Sequence, residues 1–293
     1  MSDLPTKKKI TWRGFKNHFV WVTTGLCLLV VLYPLGSILA NLLKRGLPGL
    51  NLNFFLKNPV PLGEASGGLG HAMMGSMMVV TMAALIAIPW GVFLGIILAQ
   101  YSKKKITRLL RHTVDLQLSL PSIVVGIFAY AILVQPFKKF SAHAGAAALA
   151  MLLLPVIART TEEGLRALPI TIKESALALG IPTWRIHFFI LLRAIRPIMM
   201  AGIFLGMARV AGETAPLLFT AFSSSSWPIS LSGGIPNFHI TEPIATLPVM
   251  IYQYASSGFD EWRQQAWTAA MVLVLWIMLV NLASKYYFRR ERV

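Results

Sequence analysis

The 293-residue sequence predicts an all-α integral membrane protein with about six spanning helices. Two observations establish the membrane class. Hydrophobic residues make up 56% of the chain and charged residues only 13%, and the mean hydropathy is +0.64, well outside the range of an ordinary soluble domain. A third fixes the arrangement: the Lys and Arg residues behind the net charge of +16 form no continuous face but are parcelled out between apolar blocks.

Crossing a hydrocarbon core of about 30 Å at 1.5 Å per residue takes roughly 20 apolar residues. Stretches that satisfy this lie near 19–43, 71–100, 114–135, 142–160, 197–222 and 266–288. The first follows Lys7, Lys8 and Lys9 but is too long for a secretory leader and lacks a small-x-small cleavage site, so it is expected to stay as an anchor. The fourth is the least distinct, because 142–150 is only mildly hydrophobic and Pro155 is expected to interrupt it. The organisation that follows is a basic tail at 1–18, a first span at 19–43, a loop at 44–70, a core at 71–288 that contains a polar connection at 159–196, and a tail at 289–293.

Twenty cations fall on one side of these spans, in the N-terminal tail, the 2–3 and 4–5 connections and the C-terminus, against six on the other and Arg209 within a span. The positive-inside rule therefore expects both termini in the cytoplasm. Topology and contact with anionic lipid account for the basic clusters without nucleic acid. The loops at 44–70 and 223–265 would face outward; their Pro, Gly, Ser and aromatic content fits a capping or docking segment as well as a plain connector.

Several chemistries are absent from the pattern. The six histidines have no metal-site spacing, and Cys27 has no second cysteine to pair with. No lysine follows Gly or precedes Ser or Thr, so the chain carries no phosphate-binding loop for ATP. Gly67-Gly68-Leu69-Gly70 has no strand before it and a span after it, and is read as a flexible start to the second span. No Gly-x-Ser-x-Gly elbow is present either, which weakens a hydrolase reading.

The 159–196 connection is too polar to be embedded and too patterned to be a simple linker. Thr171 and Glu174 have the spacing of a capping box, which predicts a helix starting there. Gly180, followed by Pro182, predicts its end, and Thr183 would cap a second helix carrying Trp184, Ile186, Phe188 and Phe189. Small residues allow a helix to approach a partner surface closely, and glycine permits the left-handed turn that sets the angle between two helices. The elbow could transmit a push, or be a helical hairpin with no docking partner.

Arg209 and Glu213 lie within the fifth apolar stretch. An arginine near mid-membrane costs about 2.5–3.5 kcal/mol on insertion scales, so it faces protein or water. A spacing of four puts the two residues on one helix face, and Pro216 lacks the N–H that would bond the Gly212 carbonyl. The pair could join two helices structurally, or line a path for an oxyanion. In the second case guanidinium offers a planar fork, and a carboxylate selects hydrogen phosphate, which has an O–H to donate, over sulfate.

Glu174-Ser175-Ala176, three residues, Gly180, nine more and Ile190 resemble the Glu-Ala-Ala loop of bacterial ABC import permeases. Ser175 replaces the middle Ala and Arg193 stands where the motif usually has Pro. Residues 120–130, 159–163, 212–220 and 247–255 are further similar, in order, to the PstA subgroup of phosphate permeases. The resemblance implies a type I ABC importer architecture with a cytoplasmic coupling helix, in the bacterial inner membrane. Glu174, Ser175, Ala176 and Gly180 would couple to the ATPase, and Arg209 and Glu213 would line the substrate pathway. It also implies partners: a second, PstC-like permease subunit, a PstB-like ATPase dimer that binds ATP and Mg, and an external PstS-like phosphate-binding protein, so that this chain would be no enzyme and would hold no cofactor of its own. The alternatives are a permease for another oxyanion, or an ATP-independent transporter.

Overall fold

A computed structural model describes residues 7–59, 67–232 and 235–289. Residues 1–6 of the expected basic tail, 60–66 of the first loop and 290–293 of the second tail lie outside the described residues. The helices are α1 (Lys7–Gly46), α2 (Leu52–Leu56), α3 (Gly70–Gln100) and α4 (Lys105–Ser119). They continue with α5 (Ser122–Val134), α6 (Ala142–Ala167), α7 (Ile170–Ala178) and α8 (Thr183–Ala194). The last are α9 (Arg196–Ala211), α10 (Ala215–Thr220), α11 (Leu247–Ala255) and α12 (Asp260–Arg289). Among the described residues the only strands are a hairpin of β1 (Ile229–Ser232) and β2 (Ile235–Phe238), with Ile229 opposite Phe238. Among the described residues four helices are long and apolar enough to cross a membrane, and up to six spans result if each of two bent pairs counts as one.

The core is the packing of α3 on α6, flanked by α9 and α12. Small residues allow that closeness: a Cβ on Gly95 would lie 2.6 Å from Thr161 Cβ and 2.7 Å from the Ala158 carbonyl oxygen, so the two backbones touch where any larger residue would separate them. By contrast α1 reaches the rest of the chain only near its C-terminal end. Leu42 is buried there, whereas Trp21, Val30, Tyr33 and Ile38 are exposed. A helix so apolar and so exposed needs lipid or another chain around it.

Proline explains where the elements depart from the sequence reading. The span expected at 114–135 is not one helix, since α4 and α5 meet at 105°. Pro121 excludes the helical region for Leu120, which sits at φ −69°, ψ 136°. Pro155, expected to interrupt the fourth span, leaves α6 continuous and is itself buried. Its missing N–H would orphan the Met151 carbonyl, and Gln117 Nε2 donates to that oxygen at 2.7 Å. Pro197 opens α9 after a 72° bend at Ile195, supplying close by the break that Arg193 cannot.

The 223–265 region, read as a loop, contains the hairpin and α11. The α11 amide of Leu247 donates to Ser76 Oγ of α3 at 2.7 Å in a buried position, and Leu247, Met250 and Tyr254 join a second core with Phe54, Leu69 and Ala269. Nine residues are too few to identify such a helix by periodicity alone.

Candidate functional site

Arg209 and Glu213 lie where the fifth expected span breaks. Helix α9 ends at Ala211 and α10 starts at Ala215, with Gly212 and Glu213 receiving no further α-helical turn. Pro216 is therefore not inside a helix but in the first turn of α10, where a missing N–H costs nothing. This corrects the expectation of a weakened turn in a continuous helix. The break is braced from α5: a Cβ on Gly126 would sit 2.7 Å from Pro216 Cα.

Arg209 occupies the last turn of α9, the favourable end of the helix dipole for a cation. Its side chain is 59% exposed and that of Glu213 18%, and the closest approach, Nε to Oε1, is 4.0 Å. That distance is too long for a hydrogen bond but within ion-pair reach, so the two charges share a face as a loose ion pair. Ala201, Leu205 and Arg209, spaced by four, form an exposed stripe on α9. The guanidinium thus points away from this chain's own core, and a 290 Å³ apolar cavity lined by Met77, Met207, Ala208 and Trp276 lies apart from it.

The elbow is built as the sequence indicated at one end and differently at the other. Gly180 has φ +74°. The Gly180 amide donates to the Leu177 carbonyl at 2.9 Å and the Ile181 amide to that of Ala176 at 3.2 Å, which is the Schellman arrangement that terminates α7. The expected capping box is absent: α7 begins at Ile170 with Pro169 as its N-cap and no side-chain cap. Thr171 already lies inside the first turn, because Pro169 holds the preceding backbone extended and the helix starts directly after it. Thr183 likewise is the first residue of α8, capped by Pro182. Ala176 is buried against Ile186 and Leu191 inside the hairpin, while Glu174, Ser175, Leu177 and Leu179 face outward. The surface available to a partner is therefore the Glu174–Ser175 and leucine side.

The most deeply held charge was missed by sequence reasoning. Glu162, on α6, is fully buried, and Arg111 of α4 reaches its Oε1 with Nε at 2.9 Å and Nη2 at 2.8 Å. Arg166 contacts the same oxygen at 2.9 Å and Arg159 the other at 3.1 Å. Arg111 also donates to the Leu98 carbonyl at 3.0 Å, so one carboxylate ties α3, α4 and α6 together two turns before the elbow. Arg159 is further paired with Glu163 at 3.1 Å. The signal available was the Arg159, Glu162, Arg166 spacing of three and four on one helix face. Arg111, 51 residues away from Glu162, could not be assigned to it.

Residues 91–293 match the family described as the binding-protein-dependent transport system inner membrane component. Over nearly its whole length the chain is similar to curated phosphate transport system permease proteins PstA. It is 39% identical to that of Yersinia pestis, covering 98% of this chain and 94% of the relative. It is 38% identical to that of Pasteurella multocida, covering 95% and 96%. The chain belongs to the PstA family of inner-membrane permeases. The probable archaeal relative in Methanocaldococcus jannaschii is 33% identical over 98% of both chains. Among solved structures, the permease fold matches a chain of a bacterial ABC transporter involved in alginate import, with TM-score 0.64 at 13% identity over 96% and 98% of the chains. It also matches the inward-facing methionine transporter MetNI, with TM-score 0.58 at 18% identity over 74% and 94%. These two show a shared fold. The permease is a multi-pass membrane protein.

Gly180→Val tests the elbow. Valine at a positive φ is strained, although open space surrounds the position, so the substitution alters the angle between α7 and α8 rather than the packing. If the elbow couples to an ATPase, as the sequence resemblance implies, the assembled transporter should form while substrate-stimulated ATP hydrolysis and uptake fall together, about tenfold for a cost near 1.4 kcal/mol. Normal values of both in an assembled mutant would show that the elbow does not transmit.

Proposed function

We propose that this permease is one half of the membrane path of an ATP-driven importer that carries inorganic phosphate by alternating access. The observation that carries the reading is Arg209, a guanidinium at a helix break, exposed on its own chain in a permease related over nearly its full length to proteins named for phosphate transport. A second, PstC-like permease subunit would cover the α9 stripe, placing Arg209 and Glu213 in a path between subunits. Guanidinium matches the oxygens of phosphate, and the loosely held Glu213 accepts a hydrogen bond from the O–H of hydrogen phosphate.

Both termini, the 2–3 connection and the α7–α8 elbow then face the cytoplasm, as the distribution of cations favours. A PstB-like ATPase dimer, which binds ATP and Mg, would seat on the exposed Glu174 and Ser175, with Ala176 closing the hairpin behind the contacting face and Gly180 setting its angle. A PstS-like binding protein would deliver phosphate on the opposite side. The permease hydrolyses nothing itself; it converts movement of the elbow into opening of one side of the path and closure of the other.

The test is purification followed by uptake. A P-loop ATPase should co-purify with the permease, and proteoliposomes containing the assembled complex should accumulate labelled phosphate only with internal ATP and despite excess sulfate. Uptake without ATP would make this a secondary transporter, and equal uptake of sulfate would make it a general oxyanion permease.

A further inference from the structure

A cavity of about 320 Å³ opens where the C-terminal end of α1 meets the start of α12, on the side away from the basic connections, lined by Arg45, Ile251, Ala255, Arg263, Ala266 and Trp267. Two guanidinium groups from helices far apart in sequence thus enter one pocket whose other walls are apolar. Arg45 lies 5.0 Å from the centre of the Trp267 ring and has no carboxylate partner among the described residues. Arg263 is oriented by Asp260, which accepts from one terminal nitrogen at 2.6 Å. The corner is rigid. Gln264 Nε2 donates to the Arg45 carbonyl at 2.6 Å and Thr268 Oγ1 to that of Gly46 at 3.0 Å, so α12 caps the end of α1 and holds its arginine over the pocket.

We propose that this pocket is a binding site for the headgroup of an anionic phospholipid in the leaflet on that side, the outer one in the orientation proposed above. The phosphodiester would sit between Arg45 and Arg263, with the glycerol and first acyl carbons against Ile251, Ala255 and Trp267. Three features select a lipid over a free anion. The pocket stands at the ends of two apolar spans, at the level where tryptophan partitions to the interface. Its volume is that of a site for a sizeable organic molecule, and its walls other than the two arginines are hydrocarbon or indole, which a bare oxyanion would leave unfilled. Arginine presents donors in a fork suited to phosphate oxygens.

Native mass spectrometry of the assembled transporter provides the test, with phosphatidylglycerol, phosphatidylcholine and inorganic phosphate as separate probes. The unaltered complex should retain phosphatidylglycerol in preference to phosphatidylcholine, and the Arg45→Gln/Arg263→Gln complex should bind phosphatidylglycerol about tenfold more weakly, the scale of losing charge-assisted hydrogen bonds. Equal retention by both complexes overturns the site. Displacement of phosphatidylglycerol by millimolar inorganic phosphate overturns the lipid assignment and makes the pocket a free-anion site. Should the double variant not assemble, a photoactivatable phosphatidylglycerol applied to the unaltered complex decides the matter. Adducts in the peptides spanning 251–267 support the site, and their absence there refutes it.

Discussion

Glu162→Gln is expected to lower the melting temperature of the assembled transporter by several degrees and to reduce the amount that assembles. The substitution keeps the shape and one acceptor but removes the only charge that faces Arg111, Arg159 and Arg166 together. Breaking a buried ion pair by removing one partner costs about 3–5 kcal/mol. The lower end applies here, since Arg159 and Arg166 are 35% and 44% exposed and keep part of their hydration. Arg111, at 20% exposure and bound also to the Leu98 carbonyl, has least access to water and contributes most of the loss. Thermal unfolding of purified complex measures the effect. In a double-mutant cycle, Arg111→Gln should recover part of the loss caused by Glu162→Gln, because it removes the stranded charge. An unchanged melting temperature in Glu162→Gln would mean that the cluster does not hold α3, α4 and α6 together.

Arg209→Lys should behave in the opposite way, with assembly preserved and uptake lost. The side chain is more than half exposed on its own chain and 4.0 Å from Glu213, so its replacement breaks no packing and no hydrogen bond within the permease. What disappears is the planar fork. A charge-assisted hydrogen bond contributes about 1.5–3 kcal/mol, which corresponds to roughly 10- to 100-fold in phosphate uptake. Glu213→Gln should leave assembly and most uptake intact and weaken the preference for phosphate over sulfate, since the amide still accepts but no longer offers an anion to the phosphate proton. Uptake of labelled phosphate with and without sulfate, normalised to assembled complex, distinguishes the two roles. Normal transport and preference in both variants would place Arg209 and Glu213 outside the path, and loss of assembly in both would make them structural.

Much of the architecture was legible because membrane insertion imposes simple rules. Apolar length and cation placement are local properties, and they located the long helices and the polar connection between the fourth and fifth apolar stretches. Gly180 was legible for the same kind of reason: only a residue without a Cβ sits comfortably at φ +74°, and Pro182 just beyond it excludes a continuing helix. The capping assignments at Thr171 and Thr183 failed because the pattern of a cap was present but Pro169 and Pro182 held the cap positions instead. A hydroxyl within the first turn is past the N-cap position from which the free first-turn amides can be reached.

What the sequence alone determined was therefore the membrane class, the family and the local stops and starts set by glycine, proline and apolar length. The tertiary structure decided how broken elements are made tolerable and where charge is buried. Pro155 breaks nothing in α6 because Gln117, from another helix, satisfies the carbonyl it orphans, whereas Pro121 turns the chain by 105°. Glu162 received no role from the sequence, because the arginine that holds it most deeply, Arg111, comes from α4, 51 residues away. Arg209 and Glu213, placed on one face by their spacing, form only a loose ion pair at 4.0 Å across the end of α9. The physical reason is the same for Pro155 and Glu162. The cost of an unpaired polar group or charge depends on which groups lie within about 3 Å of it, and the deciding neighbours here, Gln117 and Arg111, come from other helices.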